Sequence, residues 1–177
     1  MKSAQEQLST YKSVHLNRKN ITTHFVGIPL IMWAIAVLMS LVSVQIPVSE
    51  AGYKLTLAKA FFSIAIIYYF ILHWRLAIGI TLFILPMVYC AEIISGYDNG
   101  HWIAILVFVI GWVFQFIGHY YEKAKPAFVD DLNQLMIGPF FMMAEVYFLL
   151  GLCKGLNEEI TPMAVEKRRA FEAKSAN

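Results

Sequence analysis

Apolar residues along this chain fall in five long windows separated by short polar stretches. The windows are residues 25–44, 55–72, 76–94, 102–118 and 135–152. Each approaches the roughly 20 residues that a helix needs to cross the hydrocarbon core of a bilayer. The pattern predicts an all-α fold, a multi-pass integral membrane helical bundle with four to five hydrophobic segments.

The fifth window differs from the other four because Gly138 and Pro139 interrupt its start and Glu145 lies at its middle. Irregular backbone is tolerated at membrane depth only where protein surrounds it, so we expect a segment that is re-entrant or packed inside the bundle. An ionisable side chain at that depth marks a functional position by default. For Glu145 we expect packing, or a hydrogen bond to the ring of a metal-ligating histidine, before direct ligation.

Basic residues in the short loops predict which side of the membrane each loop faces, because cytoplasmic loops carry an excess of Lys and Arg. They precede the first window, separate the second from the third and follow the fourth: Lys2, Lys12, Arg18, Lys19, Arg75, Lys123 and Lys125. The loop SGYDNGH between the third and fourth windows has none, as expected outside the cell. The C-terminal tail is also basic, which favours a fifth segment that enters the bilayer and returns.

Composition supports a membrane protein, since 59% of residues are hydrophobic, 15% are charged and the mean hydropathy is +0.60. The net charge of +2 gives no reason to expect a nucleic-acid partner, and the contacts we expect are with membrane lipid. One membrane-embedded domain, residues 1–177, accounts for the whole pattern. Short loops without a targeting extension favour a bacterial inner membrane over the endoplasmic reticulum. The oligomeric state is left open.

Four of the five histidines fall at the cytoplasmic ends of the predicted segments: His15, His24, His73 and His119. His101 alone is at an exterior end. A single histidine at a membrane edge is usually an anchor or a hydrogen-bond partner, and this is the ordinary interpretation of His73 and His101. Several imidazoles at one face indicate a metal site at the cytoplasmic side.

His15 and His24 are nine residues apart, so they would lie on opposite faces of one straight helix. The residues between them, LNRKNITT, are rich in Asn and Thr, which end helices or cap new ones. We therefore expect one helix to end near residues 17–20. A new one would begin around Thr22 or Thr23 with His24 in its first turn, and the break would bring the two imidazoles together.

The second cluster is the stretch QFIGHYYEKAKPA, residues 115–127. Gln115, His119 and Glu122 share one helix face, and His119 and Glu122 have the spacing of a ligand pair in helical metal sites. Pro126 is expected to end the helix. The alternative is a solvated pair at a helix end. Three neutral imidazoles with an optional carboxylate suit iron, zinc or copper better than calcium or magnesium.

These motifs resemble the 2-hydroxy fatty acid dioxygenase family, the fungal enzymes of phytosphingosine degradation and their bacterial relatives, formerly a domain of unknown function. The matching pieces are Tyr11-x3-His15-x4-Asn20-x3-His24-x2-Gly27-Ile28-Pro29, Gln115-Phe116-x-Gly118-His119-x2-Glu122-x3-Pro126-Ala127 and Pro139-x5-Glu145. They follow the family's order over most of the chain. The first two are specific, and the third is less so.

The resemblance implies an Fe(II)-dependent membrane enzyme that uses O2 to shorten a 2-hydroxy fatty acid by one carbon, the chemistry of fatty acid alpha-oxidation. It implies that His15, His24 and His119 bind the iron, with Glu122 as a fourth ligand or as a partner of a ligand. Residues expected to support these ligands or to meet the substrate are Asn20, Gln115, Glu145 and Lys123. His73 and His101 lie outside the matching motifs.

Three other classes of protein compete with this interpretation. Membrane desaturases and hydroxylases carry dense HxxHH-type boxes, and this chain has five histidines and no adjacent pair. A haem-binding electron carrier would place its ligands within the bundle, whereas His15 lies on a polar segment before the first window. In a non-enzymatic scaffold or transporter the histidines would be incidental, so their removal would leave the metal content unchanged.

Overall fold

The computed structural model describes residues 2–47, 52–124, 131 and 133–175, which form six helices and one β-hairpin. The helices are α1 (Ala4–Ser13), α2 (Arg18–Ser40), α3 (Leu57–Ser95), α4 (Gly100–Glu122), α5 (Gln134–Leu149) and α6 (Lys154–Ser175). Strands β1 (Ser43–Ile46) and β2 (Tyr53–Thr56) pair antiparallel between α2 and α3. The all-α prediction missed this short hairpin because its apolar residues, such as Val44 and Leu55, had been counted with the neighbouring windows.

Three helices in the described part of the chain, α2, α3 and α4, are long and apolar enough to cross a membrane. In their most apolar windows only 39%, 33% and 22% of residues are buried. Large apolar side chains such as Ile64, Leu82 and Leu106 are therefore exposed on the outside of the bundle. That distribution is expected where lipid replaces water as the surrounding solvent.

Helix α3 folds back on itself at His73, whose φ of −163° and ψ of 100° are extended. The hydroxyl of Thr56 donates to the Glu92 carboxylate at 2.7 Å, across 36 residues, and Lys59 pairs with the same carboxylate at 3.0 Å. A straight helix would separate such positions by about 54 Å. The two limbs, residues 57–72 and 74–95, correspond to the second and third apolar windows. The predicted separation of the second and third apolar windows near Arg75 is therefore confirmed, and the number of membrane crossings stays a prediction.

Helices α2 and α4 pack closely because glycines lie at their contact. A methyl group on Gly27 would lie 2.8 Å from the backbone oxygen of Gly111. One on Gly111 would lie 2.7 Å from the side chain of Ile31. Small residues allow helix backbones to approach in this way within membranes. The close contact places His24 of α2 beside His119 of α4.

Helix α5 is shorter than the other apolar helices, and all of residues 137–144 are buried. The hydroxyl of Tyr69 donates to the carbonyl of Met136 at its start, and the hydroxyl of Tyr147 near its end donates to the carbonyl of Arg75. Tyr69 and Arg75 flank the reversal of α3, so both ends of α5 lie near one end of the bundle. The segment is packed against protein, as expected, and whether it enters the bilayer stays a prediction.

The terminal helices α1 and α6 lie at this same end. Lys167 of α6 donates to the hydroxyls of Ser9 and Thr10 on α1 at 2.9 and 2.7 Å. Arg168 approaches the carboxylate of Glu122, the last residue of α4, at 3.6 Å. The N-terminus, the end of α4 and the basic C-terminal helix are thus brought together.

Candidate metal centre and adjoining cavity

The connector between α1 and α2 carries His15. Helix α2 begins at Arg18, because the side chain of Asn17 caps it by accepting from the Lys19 amide at 2.9 Å. The predicted start around Thr22 or Thr23 is therefore wrong by about one turn, and His24 lies in the second turn. The predicted break between the two helices is confirmed, but α1 ends at Ser13, so the predicted helix end near residues 17–20 is wrong by about one turn and His15 itself lies in the break.

The structure brings His15, His24 and His119 into one buried group. Each offers a ring nitrogen within 4.8 Å of the others, and all three side chains are buried. The Nε2 atoms of His15 and His24 are 3.0 Å apart, and the centroid of the His119 ring lies 5.0 Å from the centroids of the other two rings. The three come from the connector, α2 and α4, so the group forms only when these segments meet.

Backbone carbonyls fix which nitrogens of His15 and His24 carry protons. Nδ1 of His15 lies 2.7 Å from the carbonyl of Tyr11, and Nδ1 of His24 lies 2.9 Å from that of Asn20. A carbonyl only accepts, so each Nδ1 must donate, which leaves the Nε2 lone pairs facing each other. Two lone pairs at 3.0 Å repel unless a cation or a proton lies with them.

Protonation does not fit the surroundings of His15. Burial lowers the pKa of His15 well below its ordinary value, and the neighbouring His24 lowers it further, although the hydrogen bond to Tyr11 opposes this. Stacking on Tyr11, with ring centroids 4.1 Å apart and planes within 3°, fixes the orientation of the His15 ring. His15 is therefore held neutral, the form that binds metals such as iron, copper and zinc.

His119 completes the group with a free nitrogen. Its Nδ1 is buried without a hydrogen-bond partner among the residues that the structure describes. A buried, unpartnered ring nitrogen on a ring whose centroid lies 5.0 Å from those of His15 and His24 is compatible with a tri-imidazole metal site. The residues present therefore fit a transition-metal ion bound by His15, His24 and His119.

The carboxylate of Glu122 is directed at the start of α2. It accepts from the amides of Leu16 and Asn17 at 3.1 and 2.8 Å and from the side chain of Asn20 at 3.1 Å. Arg168 provides a nearby positive charge. Glu122 is buried and holds the connector that carries His15, and it is not part of the group of three imidazoles.

Asn20 and Gln115 lie beside the histidines, as predicted. Asn20 is fully buried, and its side chain also donates to the carbonyl of Val14 at 3.2 Å while its own carbonyl accepts from His24. Gln115 is buried on the predicted face of α4 with His119 and Glu122. Its amide nitrogen has no partner within the described ranges.

The remaining predicted residues are outside the group of three imidazoles, although Lys123 lines a surface pocket together with His119. Glu145 pairs with Lys12 of α1 at 3.0 Å, so in this structure the ring-orienting role belongs to backbone carbonyls. Lys123 ends α4 in a left-handed conformation with φ of 55°. His73 forms the reversal of α3, and His101 begins α4 beside Trp102. Pro126 and Ala127, placed after α4 by the motif, lie outside the described residues.

An apolar cavity of about 470 Å³ adjoins the histidines, which line it. Its walls come from α1, α2, the first limb of α3, α4 and α5, and include Met32, Ile35, Phe62, Phe108 and Trp112. From His24 to Ile35 on α2, and from His119 back to Phe108 on α4, the lining extends about 16 Å along the helices. The cavity is thus an elongated apolar pocket with the imidazoles at one end.

Two lining residues were missed as site residues by the sequence analysis. Tyr11 belongs to the first motif, and its stacking on His15 could not be seen without the fold. Gln134, the first residue of α5, is 1% exposed and lines the cavity. A polar residue before an apolar window is usually solvated, so the sequence carried no signal for it.

Comparison with known proteins identifies the family of the chain. The chain is 32% identical over 149 residues to the 2-hydroxy-palmitic acid dioxygenase MPO1 of Saccharomyces cerevisiae, covering 83% of this chain and 81% of the relative. No solved structure matches the chain. The family described as 2-hydroxy-palmitic acid dioxygenase Mpo1-like matches residues 1–150, a range that includes all three clustered histidines. The chain therefore belongs to the Mpo1-like family of 2-hydroxy-palmitic acid dioxygenases.

Proposed function

We propose that this protein is an Fe(II)-dependent dioxygenase that cleaves the C1–C2 bond of 2-hydroxy fatty acids. The observation that carries the proposal is the group of three buried imidazoles, each offering a ring nitrogen within 4.8 Å of the others, at the end of an elongated apolar cavity. The name of the yeast relative supports the substrate class.

His15, His24 and His119 would hold the iron. Iron(II) bound there would supply the activation of O2, and three protein ligands leave positions open for reactants. The apolar walls, among them Phe62 and Trp112, would take the acyl chain and keep water from the reacting end. The cavity thereby orients the substrate with its carboxyl and hydroxyl groups toward the histidines.

The overall reaction balances without an added reductant. A 2-hydroxy acid and one O2 give the acid one carbon shorter, CO2 and water. The C1–C2 bond breaks, C2 is oxidised from a secondary alcohol to a carboxyl group, and O2 is reduced. No 2-oxoglutarate is required, because the substrate itself supplies all four electrons.

We further propose that the histidine group lies at the cytoplasmic face of a bacterial inner membrane. The basic residues Lys2, Lys12, Arg18 and Lys19 lie at the same end of the molecule as the histidines, and the loop at residues 96–99 at the other end has no Lys or Arg, although Lys54 and Lys59 lie near it. This distribution is typical of a cytoplasmic end.

The direct test is metal analysis of detergent-purified protein, followed by anaerobic Fe(II) loading and measurement of O2 uptake on adding 2-hydroxypalmitate. We expect stoichiometric iron and O2 uptake in the wild type. His119→Ala should lose both, and His101→Ala, which changes a histidine outside the group, should retain them. Wild-type protein that holds iron but consumes no O2 with this substrate would overturn the proposal, and a visible haem band would favour electron transfer instead.

A further inference from the structure

Gln134 is a buried amide without a partner in the apolar cavity. It is 1% exposed, and neither its Oε1 nor its Nε2 has a hydrogen-bond partner in the described part of the chain. Both atoms belong to a side chain that lines the cavity together with the three histidines. Gln134 thus presents one donor group and one acceptor to whatever occupies this pocket.

Such a residue is unfavourable for folding alone. A buried amide that makes no hydrogen bond loses its hydration without compensation, whereas a leucine of similar size would contribute apolar burial at the same position. Nearby Gln115 also lines the cavity, with an unpartnered Nε2. Two unsatisfied amides in a pocket that is otherwise apolar apart from Tyr11, Tyr69 and the three histidines indicate a polar group of a ligand as the missing partner.

We propose that Gln134 is a specificity-determining residue that binds the 2-hydroxy-carboxylate head of the acyl substrate. Its Oε1 accepts from the 2-hydroxyl group, and its Nε2 donates to a carboxylate oxygen. Gln115 Nε2 supplies a second donor to the same head. The inference rests on the proposed function and adds to it the residue that distinguishes a 2-hydroxy acid from an unsubstituted fatty acid.

The chemical reason is that an amide built to pair with a hydroxyl group discriminates against a ligand that lacks one. With palmitate bound, Oε1 of Gln134 would stay buried and unpaired, which weakens binding of that analogue. The apolar walls bind both tails equally, so they contribute affinity without selectivity. The preference for the 2-hydroxy acid should therefore depend on Gln134.

The test measures equilibrium binding of radiolabelled 2-hydroxypalmitate and palmitate to metal-free, detergent-purified protein, together with KM and kcat for O2 uptake after iron loading. The variants are Gln134→Leu and Gln134→Glu, and the matched control is Gln45→Leu on the exposed β-hairpin. We expect Gln134→Leu to weaken 2-hydroxypalmitate binding about tenfold and palmitate binding less than twofold. Gln134→Glu should weaken 2-hydroxypalmitate binding further, because the introduced carboxylate repels that of the ligand.

Thermal unfolding separates a substrate-binding role from a structural one. Removal of an unpartnered buried amide should leave the Tm of Gln134→Leu equal to that of the wild type or higher, with KM raised more than kcat is lowered. An unchanged preference between the two acids, or a lowered Tm with both acids weakened equally, would overturn the inference. If the wild type consumes O2 with 2-hydroxypalmitate and Gln134→Leu matches it, only the role of Gln134 fails; if the wild type is inactive, the proposed function fails.

Discussion

At the scale of single residues, backbone carbonyls orient the rings of His15 and His24, and the Glu122 carboxylate fixes the connector that carries His15. The carbonyls of Tyr11 and Asn20 accept from the Nδ1 atoms of His15 and His24. Glu122 in turn fixes the connector by accepting from the amides of Leu16 and Asn17. Changes in groups that orient metal ligands typically lower metal affinity even when the ligands remain.

Glu122→Gln should therefore lower iron affinity about 10- to 100-fold while the three histidines stay in place. The amide would turn an NH2 group toward at least one of the donors that Glu122 now accepts from, and the charge opposite Arg168 would be lost. Iron titration under anaerobic conditions measures the effect. Glu172→Gln, which changes an exposed partner of the same arginine, is the control and should bind iron as the wild type does. Equal iron affinity in the two variants would contradict this role for Glu122.

At the scale of elements, the contact between α2 and α4 sets the distance from His24 to His119. Gly118, next to His119, faces the start of α2, and a methyl group there would overlap the side-chain oxygens of Thr23 and Asn20. It would also lie 3.1 Å from Nδ1 of His24. The helix contact and the metal group therefore depend on the same position.

Gly118→Ala should push α4 away from α2 and lower bound iron at least tenfold, because ring nitrogens must converge closely to share one ion. Metal analysis and Tm of the purified variant measure the change. Gly155→Ala provides a matched control on α6, since a methyl group there meets nothing within 4 Å. Normal iron content in Gly118→Ala would show that α2 and α4 tolerate the methyl group and that Gly118 does not determine the distance between them.

At the scale of the whole molecule, the termini and the metal group share one end. Helix α6 lies beyond the region that matches the family, yet its Lys167 and Arg168 contact α1 and Glu122. Helix α5 starts and ends near the reversal of α3. The chain therefore reaches α6 while staying at the end of the bundle that holds the histidines. The arrangement predicts the sidedness of the loops in a membrane.

Cysteine labelling tests this sidedness in a variant that lacks Cys90 and Cys153. A membrane-impermeant maleimide added outside intact bacterial cells should label a cysteine placed at Tyr97 and should not label one placed at Lys2 or Lys154. Inverted vesicles should give the reverse pattern. Labelling of Lys2→Cys and Lys154→Cys from opposite sides would show that α5 crosses the bilayer and would contradict the packing of α6 against α1.

The sequence by itself determined the long apolar helices typical of a membrane protein and the existence of a polar break before His24. These features depend on local composition and on residues near one another in the chain, such as the cap at Asn17. Their physical basis is short-range, because hydrophobic length and helix capping act within a few turns. The start of α2 was misplaced since Asn17, Asn20, Thr22 and Thr23 are all competent caps.

Only the tertiary structure decided which of these residues meet. The group of His15, His24 and His119 joins positions about a hundred residues apart, and Glu145 proved to pair with Lys12. The fold also revealed Gln134 as a candidate site residue. In the sequence it is an ordinary polar residue before an apolar window, and only the fold shows that it is buried in an apolar cavity. Whether a side chain has a hydrogen-bond partner depends on every segment packed around it, and that information is absent from any single stretch of the chain.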